Sequence, residues 1–158
     1  MPKRGLNRTS QGVGHALDTG RAITIAYKDL SSGAARLVDG LRKGTRIKVG
    51  SGVRVDDLRQ ASIYLNRELG VARDRLGNLV IVRGQGTEVA FRASDRVLVH
   101  THPVLDSMPS HFAFDIKVAD DFVEAVVDWA GNVTHFSRNG ILTDILESPI
   151  NPFGFIFR

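Results

Sequence analysis

Apolar and polar positions alternate along the chain in short blocks whose period changes from one block to the next. Residues 1–20 are rich in Gly, Ser, Thr and Asn and predict a loop or a frayed arm. Ala22 to Leu41 reads two ways: AITIAY fits a short strand, while Ala34, Leu37, Val38 and Leu41 recur at helical spacing. Arg46 to Val49, set between Gly44 and Gly50, reads as a strand. Leu58, Ala61, Leu65 and Leu69 then share one helical face, so a helix capped by Asp56 or Asp57 is expected to run to about Leu69, where Gly70 breaks it.

Beyond Gly70 the period shortens to that of strands. GVARDRLGNLVIVRG predicts a hairpin around Gly77-Asn78, with Leu79 to Val82 as its second arm. Gly84 and Gly86 supply another turn before EVAFR. This GQG lacks the rest of a dinucleotide-binding fingerprint and no helical pattern follows it. RVLVHTH reads as a strand ended by Pro103, which cannot donate to a ladder. After the loop VLDSMPS, a helix is expected from about Asp115 to Glu124, and AVVDW-AGN-VTHF makes a second hairpin. Together these elements predict a mixed α/β fold.

Length and composition narrow the class. A chain of 158 residues fits one domain with an ordinary core, and 42% hydrophobic with 24% charged residues is a globular balance. No apolar run approaches the roughly 20 residues a bilayer span needs, and MPKRGLNRTSQGVG lacks the apolar stretch of a secretory signal. The absence of cysteine excludes disulfides, thiolate metal sites and a cysteine nucleophile. Charge is uneven: residues 1–50 hold ten basic against three acidic residues, the remainder eleven against fourteen. A basic front segment can face nucleic acid, but no aromatic residues are interleaved with the charges, and a solvated linker or solubilising face is the expected reading.

The chemistry concentrates in HTHP. Two histidines at i and i+2 of a strand point to one face, so the rings of His100 and His102 can reach one ion. Val97 and Val99 take one parity, Leu98 and His100 the other, so the strand is apolar on both faces until its C-terminal end. A buried strand turning polar just before a loop is where scaffolds place sites.

HTHP, followed by six residues and then Ser110, with an aspartate shortly after, resembles the JAMM (JAB/MPN) metalloprotease motif. The likeness covers roughly residues 55 to 137. Its later hairpin, VVDWAGNVTHF, is similar to JAB-type domains at the ends of bacterial Rhs and other polymorphic toxins. The resemblance implies a central mixed β-sheet with flanking helices, layered as in cytidine deaminases. It would occupy 51–158, behind a basic extension or linker over 1–50 with one helix or strand. It also implies Zn2+ held by His100, His102 and Asp115, with Glu68 as general base and Ser110 as donor to the oxyanion. The family's aspartate falls three residues after its serine, a position held here by Ala113, so Asp115 stands two places late. Either the loop bulges and Asp115 still ligates, or the third ligand is lost; His111 and Asp106 are the substitutes.

Several residues have a plainer reading. Glu88 competes with Glu68 as the base, and Ser110 can simply cap the following helix. His111 and His135 read as surface or packing histidines, His15 has no role, and Trp129 and the tail NPFGFIFR read as core or edge packing. The expected function is a zinc-dependent peptide or isopeptide hydrolase, a toxin or effector domain of a larger secreted protein delivered to a target cell. Its partners would be a protein or peptide substrate, including ubiquitin-like ones, and a cognate immunity protein. The alternatives are an inactive JAB-fold binding module and a nucleic-acid-directed toxin using the basic front.

Overall fold

A computed structural model describes residues 23–85, 89–102, 122–142 and 147–157. Ile23 to Ala26 takes no regular structure and leads into a single 3-10 turn, Tyr27–Asp29, so the strand reading of AITIAY is not realised. Helix α1 spans Ser32–Lys43 and buries Ala34, Leu37, Val38 and Leu41, the stripe predicted for it. Ser31 starts it by accepting the Ala34 N–H at 3.1 Å, and Arg42 and Lys43 favour the negative end of the helix dipole.

Helix α2 spans Val55–Leu65 and ends four residues before Leu69. The stop is Asn66, which adopts the left-handed conformation (φ 53°, ψ 46°), one of the few side chains that tolerates it. Leu65 and Leu69 keep helical spacing in sequence, but Leu69 belongs to a strand, which corrects the helix boundary. Asp57 ties the two helix starts together: its carboxylate accepts from Ser31 Oγ at 2.7 Å and from the Arg54 N–H at 3.4 Å. Gly33 leaves it room, since a Cβ there would lie 2.3 Å from an Asp57 oxygen.

Strands β1 (Arg46–Lys48), β2 (Leu69–Arg73), β3 (Leu79–Arg83), β4 (Arg96–His102), β5 (Glu124–Asp128), β6 (Val133–Ser137) and β7 (Gly140–Leu142) form one sheet in the order β1-β3-β2-β4-β5-β6-β7. All neighbours are antiparallel except β4 and β5. The fold is thus mixed α/β, a seven-stranded mixed sheet with two helices. The β2–β3 turn is closed by the Asp74 carboxylate, which accepts from the Leu76 and Asn78 N–H groups, with Gly77 at φ 82°. Glu124 opens β5 and residues 122 and 123 are not helical, so the C-terminal end of the helix expected over Asp115–Glu124 is corrected to strand; its body lies outside the described residues.

The helices cover one face of the sheet, packing Leu37, Val38, Leu41 and Leu58 on Leu69, Val71, Ile81, Val99 and Val127. α1 and β1 therefore share core and sheet with the elements beyond residue 50. Pairing jumps from Val71↔Val99 to Ala72↔Val97, which leaves Leu98 as a bulge and lets it join the same core as Val99, against simple strand parity. In the tail, Ile156 fills the core at 2% exposure and Phe155 packs half-buried at the edge with Arg54 4.9 Å from its ring centre, whereas Phe153 and Phe157 are exposed.

Part of the basic front is engaged within the molecule. Arg42 lies 5.0 Å from the Tyr64 ring centre, and Arg46 makes a two-pronged pair with Asp95 at 2.8 Å. The Asp95 side chain is fully buried, and the Arg46 bond holds its carboxyl below the usual range. Stability from this pair is fully present above the unfolded aspartate pKa of about 3.9 and is lost as pH falls through the lower folded value. Asp95→Ala should cost about 3 kcal/mol in urea unfolding at pH 7, because it strands a mostly buried guanidinium. At pH 3 the gap between variant and wild type should narrow; an equal gap at both pH values would refute the linkage.

Candidate metal centre

The other face of the sheet carries the polar cluster. Gly70, His100 and Val126 are in register on β2, β4 and β5 and so share this face. Phe91 lies over Gly70, where a Cβ would come within 2.2 Å of its ring, so any larger residue beside His100 would push Phe91 from its place. Strand alternation puts His102 beside His100, and Glu68, two residues before Gly70, takes the same parity.

The side chains converge as that geometry implies. His100 and His102 face each other with their Nε2 atoms 3.2 Å apart and ring centres at 5.1 Å. The edge-on ring of Phe136, 6.0 Å from His100, backs the pair. One ligand atom each from Glu68, His100 and His102 lies within 4.8 Å of the others. All three residues are buried, at 1%, 5% and 0% exposure. Among the described residues this is the group of three able to hold a metal ion.

The donor chemistry fits such an ion. Zinc–nitrogen bonds of 2.0–2.1 Å at a tetrahedral centre put two donors about 3.3 Å apart, close to the observed separation of the two Nε2 atoms. Two neutral imidazoles aimed at each other at that distance need a proton or a cation between them. A carboxylate carried into the same dry space adds the negative charge that favours the cation. Imidazole with carboxylate is a donor set that zinc accepts, though other divalent ions accept it too.

No family model, curated protein or solved structure matches the chain.

Of the residues singled out in the sequence, the structure brings together Glu68, His100 and His102. Ser110, Asp115, Asp106, His111, Glu88 and His15 lie outside the described residues. His135 is apart from the cluster; it bonds Ser148 Oγ at 2.8 Å, and burial pushes its pKa down. Asp128, paired with His102 across β4 and β5, is buried, but its carboxylate closes the β5–β6 turn by accepting the Ala130 and Asn132 N–H groups. Trp129 is buried, and its indole N–H donates to Ser62 Oγ at 3.1 Å.

Sequence reasoning passed over Ser62 and Thr101. Both are fully buried, and their hydroxyls meet at 2.9 Å. The available signal was a polar residue in the apolar stripe of α2, next to Ala61. An open groove of about 860 Å3 runs beside this end of the sheet. Arg67 and Gly84 are in its wall, the first preceding Glu68 and the second donating its N–H to the Glu68 carbonyl at 2.7 Å.

Proposed function

We propose that the chain is a zinc-dependent peptide or isopeptide hydrolase with a JAB/MPN-like fold, a toxin or effector domain of a larger secreted protein. The observation that carries the reading is the meeting of Glu68 with the HTHP histidines: residues more than thirty positions apart in sequence form the buried group the JAMM resemblance calls for. His100 and His102 would hold the ion through Nε2. Zinc, when bound, supplies Lewis acidity that lowers the pKa of water towards about 7 and polarises a carbonyl.

The chain's own groups do the rest. The Glu68 carboxylate takes a proton from the attacking water and returns it to the leaving amine, a shuttle that needs a fixed carboxylate beside the reacting atoms. Burial at the sheet face keeps bulk water from competing. The groove walled by Arg67 and Gly84 is the surface on which an extended peptide would lie in this reading, since both residues adjoin the backbone of Glu68. Asp115 completes the ligand set and Ser110 donates to the oxyanion in this reading. Its substrate is a protein or peptide, ubiquitin-like ones included, and an immunity protein would be its natural antagonist. No helix among the described residues is long and apolar enough to cross a membrane.

The third ligand has its own test. Asp115→Ala should weaken zinc binding at least tenfold, since metal affinity is built from the full donor set. Asp106→Ala and His111→Ala should leave it unchanged. Zinc titration of the three variants decides: a loss in either of the latter moves the ligand, and no loss in any favours the inactive binding module that Ala113 suggests.

A further inference from the structure

The hydroxyls behind the sheet form a ring around the backbone of Glu68. Ser62 Oγ lies 2.5 Å from the Arg67 carbonyl, which can only accept, so the Ser62 proton goes there. Ser62 Oγ must then accept from its two other neighbours, Trp129 Nε1 at 3.1 Å and Thr101 Oγ1 at 2.9 Å. Thr101 Oγ1 in turn accepts the Leu69 N–H at 2.9 Å; the Leu69 carbonyl, at 3.5 Å, is a poor rival for its proton. The protons thus run one way, from Leu69 N–H through Thr101 and Ser62 to the Arg67 carbonyl.

These two ends are the peptide groups on either side of Glu68. The Arg67 carbonyl belongs to the peptide before it and the Leu69 N–H to the peptide after it, so the ring holds both backbone torsions of Glu68. Gly84 holds the Glu68 carbonyl itself. Thr101 also stands between the two histidines on β4, pointing to the opposite face. A displacement of β4 against β2 therefore moves His100, His102 and the clamp on Glu68 together.

We propose that Thr101 and Ser62 are positioning residues: they hold the Glu68 carboxylate at a set distance from whatever ion His100 and His102 bind, with Trp129 fixing Ser62. The claim rests on the reading of Glu68 as the base at a metal centre. An ordinary buried threonine would need only one partner; this one links the glutamate's flank to α2 through a second hydroxyl. Polar networks buried in this way are rigid only when every member is satisfied, and the donor assignment above satisfies each of them.

Cobalt(II) is the probe, because its visible bands respond to groups around the ion without any substrate. Full-length wild type, Thr101→Val, Thr101→Ser, Ser62→Ala and Glu68→Gln are each loaded with cobalt and their spectra compared. Thr101→Ser should keep the wild-type bands. Thr101→Val and Ser62→Ala should still bind one cobalt each with unchanged affinity, yet show the altered bands of Glu68→Gln. Wild-type bands in folded Thr101→Val and Ser62→Ala, with altered bands in Glu68→Gln, would overturn the positioning role while leaving the metal centre standing. Wild-type bands in Glu68→Gln, or no cobalt binding by the wild type, would overturn the reading of the centre and the positioning role with it. If Thr101→Val does not fold, Ser62→Ala carries the same comparison, since it opens the ring at its other hydroxyl.

Discussion

Purified protein should carry close to one zinc per chain, and the His100→Ala/His102→Ala double variant should carry none. The two Nε2 atoms stand 3.2 Å apart on a buried strand, already at the spacing of two donors on one ion. Binding to the folded state alone stabilises it by about 2.7 kcal/mol when free zinc is a hundredfold above the Kd. For a domain of this size that is roughly 5–10 °C in Tm. A chelator should therefore lower the wild-type Tm by that amount and leave the double variant unmoved. His135→Ala is the control, a histidine bonded to Ser148 and outside the cluster, and its zinc content should match wild type. Stoichiometric zinc in the double variant would end the assignment.

The elements that could be read in advance are those whose period is local. The α1 stripe of Ala34, Leu37, Val38 and Leu41 is buried as its spacing requires, and the β2–β3 and β5–β6 hairpins lie where their turn residues put them. The failures share a cause too. Leu65 and Leu69 are four apart whether or not a helix joins them, and only the left-handed turn at Asn66 separates them. Leu98 joins the helix-side core because a bulge resets the parity of β4, and a bulge leaves no mark on the alternation of a strand that is apolar throughout. The burial of Ile156 depends on a partner distant in the chain, since its N–H bonds the Val53 carbonyl.

The site divides along the same line. The histidine pair was legible because alternation alone puts His100 and His102 on one face. Glu68 was legible only through the resemblance, because no periodicity connects a residue before β2 with the end of β4. The Ser62–Thr101–Trp129 network was not legible at all: its members stand 39 and 67 positions from Ser62, and each looks like routine helix, strand or turn composition in isolation.

Glu68→Gln should leave zinc bound and abolish hydrolysis. Gln keeps the length of the side chain and its place in the dry pocket, so the histidines and the backbone ring are undisturbed. What it loses is the ability to take a proton at neutral pH, and general-base catalysis of this kind contributes about 10²- to 10⁴-fold. The alternative is that Glu68 is itself a ligand, which its closeness to both imidazoles also permits. The two roles part on metal content: a ligand's loss removes much of the zinc affinity, whereas a base's loss leaves it intact. Zinc content and peptide hydrolysis should therefore be measured on the same preparation. Intact zinc with turnover lost supports the base, zinc and turnover lost together makes Glu68 a ligand, and full activity with Glu68→Gln, lost instead with Glu88→Gln, would transfer the role to Glu88.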